Sequence, residues 1–63
     1  MPIVEIHLIK GRTLEQKRLL VASVTKAITE SLAAPPETVR IILSEMEKDD
    51  YAIAGTLMSD KGH

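Results

Sequence analysis

The chain has 63 residues, 44% of them hydrophobic and 27% charged, with 8 basic against 9 acidic residues and no cysteine. That length holds one domain, residues 1–63. The missing cysteines exclude a disulfide framework or a thiolate metal site, and the balanced charge with Tyr51 as the single aromatic residue argues against a nucleic-acid binder.

No apolar run approaches the roughly 18 residues of a membrane span. The N-terminus shows no basic region followed by an apolar run, the mark of a secretory signal. These features predict a soluble cytoplasmic protein with no membrane or nucleic-acid partner. At 6.9 kDa, burial contributes about 90 kcal/mol while ordering the chain costs about 95 kcal/mol. A chain so balanced needs a staple. With no cysteine and no metal-binding motif, oligomerisation is the staple that remains.

Residues 1–9 read as a strand. Val4, Ile6 and Leu8 alternate on one face; Ile3, Glu5, His7 and Ile9 occupy the other. Gly11 breaks the pattern as a turn residue. Thr13-Leu14-Glu15-Gln16 matches a capping box and opens a helix over Leu14 to Leu32. Its expected apolar stripe is Leu20, Val24, Ala27 and Ile28, widened by Val21 and Leu32. Pro35 and Pro36 stop it no later than Ala34.

Residues 38–46 form the second predicted strand, rich in β-branched side chains. Glu47 to Asp50 is a charged turn. Residues 51–58, interrupted by Gly55, read as a weak strand or hairpin at a sheet edge, and residues 59–63 as a frayed polar tail. Strand, long helix, strand is a βαβ unit with parallel strands and a right-handed crossover. One helix covers one face of such a sheet. The bare second face is a separate reason to expect an oligomer.

Few residues carry chemistry. His7 reads as an ordinary strand side chain, and His63 lies at the other end of the chain. Arg40 sits within the apolar stretch Val39 to Leu43. It is either a solvent-side arginine or an anion site, its guanidinium fork matched to a carboxylate. Arg12, at the helix entrance, is either a surface turn residue or a carboxylate clamp aided by the positive helix end. Pro2 either starts an edge strand or, once Met1 is removed, becomes a free secondary amine. A buried amine near arginines titrates closer to neutrality than the usual value of about 7.7–8.0, which suits general acid–base catalysis.

Pro2-Ile3, Ile6-His7, Gly11-Arg12-Thr13, Glu15-Gln16-Lys17, Val39-Arg40, Glu45-Met46 and Tyr51 to Gly55 occur in one order along the chain. In this the sequence resembles the 4-oxalocrotonate tautomerase family. The resemblance implies an α/β (α+β) fold: a β-α-β unit with parallel strands and a short C-terminal β-hairpin, assembled as a hexamer, a trimer of dimers with shared active sites. It implies an isomerase of aromatic catabolism that moves a proton in 2-hydroxy-dienoate acids such as 2-hydroxymuconate, without metal or cofactor. Pro2 matches the catalytic amino-terminal proline. Arg12 and Arg40 match the arginines that bind the substrate's carboxylate and oxo groups. Tyr51 matches a pocket position that is usually phenylalanine, and Ile9 an apolar wall.

Ala52 and Ala54 replace glycines common before Gly55, and alanine resists positive φ. A different hairpin turn is therefore expected. Dehalogenation or decarboxylation of a small unsaturated or oxo acid is the alternative on this fold, with Glu45 a candidate to activate water. A non-catalytic oligomeric homologue is the other.

Overall fold

The computed structural model describes residues 1–61; His63 and its place in the expected tail lie outside the described residues. Two seven-residue strands, β1 (Ile3–Ile9) and β2 (Arg40–Met46), flank one helix, α1 (Leu14–Leu32). The strands pair in parallel, from Ile3 beside Arg40 to Ile9 beside Met46. Side-by-side residues of parallel strands share a face. Val4, Ile6 and Leu8 therefore line one face with Ile41, Leu43 and Glu45; Ile3, Glu5, His7 and Ile9 line the other with Arg40, Ile42, Ser44 and Met46.

The capping box forms. Thr13 Oγ1 accepts from the Gln16 amide at 3.1 Å, and Gln16 Oε1 accepts from the Thr13 amide at 2.9 Å. Two backbone donors that α1 cannot satisfy internally thus find partners. The half-buried face of α1 is Lys17, Leu20, Val21, Val24, Thr25, Ile28 and Thr29. Two members of the expected stripe, Ala27 and Leu32, are exposed instead. Nineteen helical residues run about 28 Å against about 20 Å for the strands, so the last turn overhangs the sheet and takes Leu32 with it. Ala33 closes the helix in the left-handed conformation, φ 55°.

The second strand begins two residues later than expected. Pro36–Thr38 forms a 3₁₀ turn in which the Thr38 amide and hydroxyl both donate to the Pro35 carbonyl, at 3.0 and 2.7 Å. A threonine bonded to nearby backbone withdraws from a ladder.

The C-terminal segment is also more ordered than expected. A 3₁₀ turn (Lys48–Asp50) leads into β3 (Ala52–Ile53) and β4 (Thr56–Leu57), and residues Met58–Asp60 of the expected tail form another 3₁₀ turn. β3 and β4 make an antiparallel pair of their own and do not join the edge of β1–β2. Ala54 and Gly55 both have positive φ, 52° and 83°, as a two-residue type I′ turn requires. Ala54 accepts the conformation that alanine resists.

None of the described residues is buried in the single chain. The layer between α1 and the sheet is only half-buried, and Ile3, Ile42, Ile53 and Leu57 stand exposed. The radius of gyration is 15.0 Å, where a compact domain of this length has about 11 Å. The accessible surface is 4844 Å² against about 4,000 Å² for a folded monomer of this mass. The 46 Å long axis exceeds both helix and strands, because the hairpin and its flanking turns pack mainly on one another.

Candidate active site

At the amino end of the sheet, the Arg40 amide donates to the Pro2 carbonyl at 2.9 Å. This bond extends the β1–β2 ladder by one step and joins the main chains of Pro2 and Arg40, while the Arg40 side chain shares the outer face with Ile3. The Arg40 guanidinium donates to the Glu37 carbonyl. Met1 is 77% exposed, open to removal; while it is attached, the Pro2 nitrogen is an amide and has no basicity.

At the carboxyl end, Gly11 adopts φ +134°, a conformation L side chains rarely reach. This turns the chain from β1 into α1 and sets Arg12 in a cleft of about 300 Å³ lined by Leu8, Arg12, Gln16, Lys17 and Leu20. Among the described residues Arg12 has no hydrogen bond or ion pair. Lys17 Nζ is held 2.8 Å from Glu45 Oε2. That hydrogen bond keeps the Glu45 carboxyl below its ordinary range, against partial desolvation, with the charges of Lys17 and Lys10 adding to the effect.

The structure brings two of the sequence-derived site residues together, Pro2 and Arg40, and sets three apart from them. Arg12, Ile9 and Tyr51 lie at or beyond the other end of the strands, about 20 Å away along β1. Ile9 shares the outer face with Ile3, Glu5 and His7, away from the cleft. Tyr51 precedes β3, partly exposed, its carbonyl accepting from the Met58 amide at 2.7 Å. Glu45 sits beside Leu8, also far from Pro2 in the same chain. His7 Nε2 lies 2.7 Å from Glu5 Oε2 on the outer face.

Leu8, Gln16, Lys17 and Leu20, which line this cleft, were not among the site residues the sequence suggested. Leu8 was legible as helix-facing by alternation. Lys17, one turn into the helix from Arg12, carried no signal of its own, because lysine on a helix is usually solvated.

Residues 2–61 match the family profile described as tautomerase enzyme. A probable tautomerase of Halalkalibacterium halodurans is 48% identical over 61 residues, covering 97% of this chain and 100% of the relative. The 2-hydroxymuconate tautomerase of Bacillus subtilis is 47% identical over 60 residues, covering 95% and 97%. A crystal structure of a homologue of 4-oxalocrotonate tautomerase superposes with a TM-score of 0.91 at 46% identity, covering 94% of this chain and 97% of the other. A heterohexameric 4-oxalocrotonate tautomerase from Chloroflexus aurantiacus does so with a TM-score of 0.91 at 26% identity, covering 97% and 98%.

Proposed function

Because this chain belongs to the tautomerase family, we propose that it is an enol–keto tautomerase of 2-hydroxy-dienoate acids such as 2-hydroxymuconate, working as a homo-oligomer with Pro2 as its base. The observation that carries the reading is the 2.9 Å bond from the Arg40 amide to the Pro2 carbonyl. It ties the main chain of Pro2 to that of Arg40 at the end of the ladder, which supports assigning the two residues to one end of the fold.

The free Pro2 nitrogen takes the proton from the enol hydroxyl of the substrate. The electron pair shifts through the conjugated chain, and the same nitrogen returns the proton to a carbon, giving the unsaturated ketone. One proton moves from oxygen to carbon, and the amine ends as it began. Arg40 stabilises the oxygen as it becomes anionic, a preorganised electrostatic role. Arg12, without a competing partner and near the positive end of α1, receives the carboxylate and orients the chain. Tyr51 and Ile9 supply walls that exclude water.

Pro2 and Arg12 of one chain lie too far apart for one small substrate. A complete site then forms where the amino end of one copy meets the carboxyl end of another. The exposed apolar residues of the outer sheet face and the hairpin give the copies surface to bury. A homohexamer, a trimer of dimers, is the assembly proposed; the Chloroflexus aurantiacus relative is a heterohexamer.

The test begins with the intact mass of the untagged protein. A mass lower by one methionine residue frees Pro2, and the ultraviolet absorbance of 2-hydroxymuconate should then decay as the ketone forms. A full-length mass, or no decay with a free proline, refutes the assigned base. A folded monomer at micromolar concentration on sizing refutes the shared site.

A further inference from the structure

Four ion pairs occur among the described residues, and three are solvated: Glu5–His7, Lys10–Glu47 and Glu15–Arg18 all have side chains more than half exposed. The fourth differs in two ways. The side chains of Lys17 and Glu45 are 25% and 35% exposed, and the pair joins α1 to β2, where the others link two residues of one strand, the residues that follow β1 and β2, or a single helical turn. Exposed pairs contribute little to a fold or a site; a pair partly shielded from water acts more strongly on what shares its surroundings. What shares them here is the Arg12 cleft, of which Lys17 forms one wall and Leu8, the strand partner of Glu45, another.

The charges around the cleft can be counted. Lys10 is taken up by Glu47 at 3.2 Å, Lys17 by Glu45, and Gln16 has its side-chain oxygen in the helix cap. Among the described residues that line the cleft, Arg12 is left as the one cation without a partner. An arriving anion thus meets a single net positive charge, between two leucines.

We propose that the Lys17–Glu45 pair is a specificity device: it holds the Arg12 cleft at one net positive charge, so that the cleft accepts a terminus carrying one carboxylate and discriminates against a doubly charged terminus such as a phosphonate or phosphate. This rests on the reading of Arg12 as the carboxylate receptor. Lys17 acts through charge and placement, and Arg12 makes the contact. Neutralising Glu45 releases the Lys17 charge into the cleft; neutralising Lys17 leaves an uncompensated carboxylate behind its wall.

The experiment is calorimetric titration of the oligomer with two probes: muconate, and the same six-carbon chain with one carboxylate replaced by phosphonate. Muconate has no enol hydroxyl, so its binding reads the cleft whether or not the protein tautomerises anything. The wild type should prefer muconate. Glu45→Gln should move the preference about tenfold towards the phosphonate, and Lys17→Gln should weaken muconate binding about tenfold. The exchange Lys17→Glu/Glu45→Lys should restore the wild-type preference. With substrate, Lys17→Gln should raise KM by more than it lowers kcat. The proposal is overturned if Glu45→Gln leaves the preference unmoved, if the exchange fails to restore it, or if wild-type protein binds no muconate. A wild type without tautomerase activity that still shows the charge-dependent preference would sink the proposed function and leave this inference standing.

Discussion

The two ends of the β1–β2 sheet are built differently. At the amino end, Pro2 and Arg40 are placed by a backbone hydrogen bond that continues the ladder, and the arginine head is steadied by the Glu37 carbonyl. At the carboxyl end, Arg12 follows a glycine turn and stands in a cleft whose walls are side chains, one of them fixed by an ion pair. Main-chain geometry survives most substitutions; side-chain geometry does not. The end proposed to do chemistry is thus fixed by the fold, while the end proposed to choose the substrate can be tuned residue by residue.

Replacing Pro2 probes the first end and should have the largest effect. In protein with a free amino terminus, Pro2→Ala should lower kcat by about 10²–10⁴-fold while the oligomer elutes unchanged; an unaltered rate would remove Pro2 from the mechanism. Arg12→Ala probes the second end. It should raise KM by about 10- to 100-fold, with a smaller loss in kcat. Mixing Pro2→Ala and Arg12→Ala subunits through denaturation and refolding should recover activity that neither has alone, because each supplies the end the other lacks. If no activity returns, the two ends do not meet between copies.

A smaller effect is expected at the hairpin. Ala54 holds a left-handed conformation that costs about 1 kcal/mol for a non-glycine residue. Ala54→Gly should raise the melting temperature by a few degrees, and no rise would place the strain elsewhere. The smallest effect concerns acid. The folded state holds the Glu45 carboxyl below its ordinary range through Lys17. The stabilisation this gives is present above the unfolded-state value and is lost as pH falls through the folded one. Below about pH 4.5 the wild type should therefore lose melting temperature faster than Lys17→Met; parallel decay would show that the bond contributes nothing to folding.

Much of this was legible in residue order. Thr13 and Gln16 announced the helix start, and the prolines its end. The alternation of Val4, Ile6 and Leu8 identified the face that meets α1. Other features were not legible for physical reasons. Thr38 has high strand propensity, yet its hydroxyl and amide both find the Pro35 carbonyl, a local competition that propensity does not register. Ala27 fits the helical stripe by type but lies at its edge. Leu32 fits by angle but overhangs strands that are shorter than the helix. Alanine at Ala54 disfavours the left-handed conformation, yet Ala54 adopts it where β3 pairs with β4.

The sequence by itself determined the element order, the parallel pairing, the identity of the candidate base and arginines, and the need for partners. The element order and pairing follow from local periodicity and capping chemistry, the need for partners from the shortage of apolar burial in so short a chain, and the candidate base and arginines from the resemblance to the tautomerase family. Only the tertiary structure decided which candidates are neighbours. Register places Pro2 beside Arg40 and carries Arg12, Ile9 and Tyr51 to the far end of two seven-residue strands. It also set Lys17 against Glu45 across 28 positions of chain. Neither residue signals the other in sequence, because what joins them is the packing of a helix on a strand.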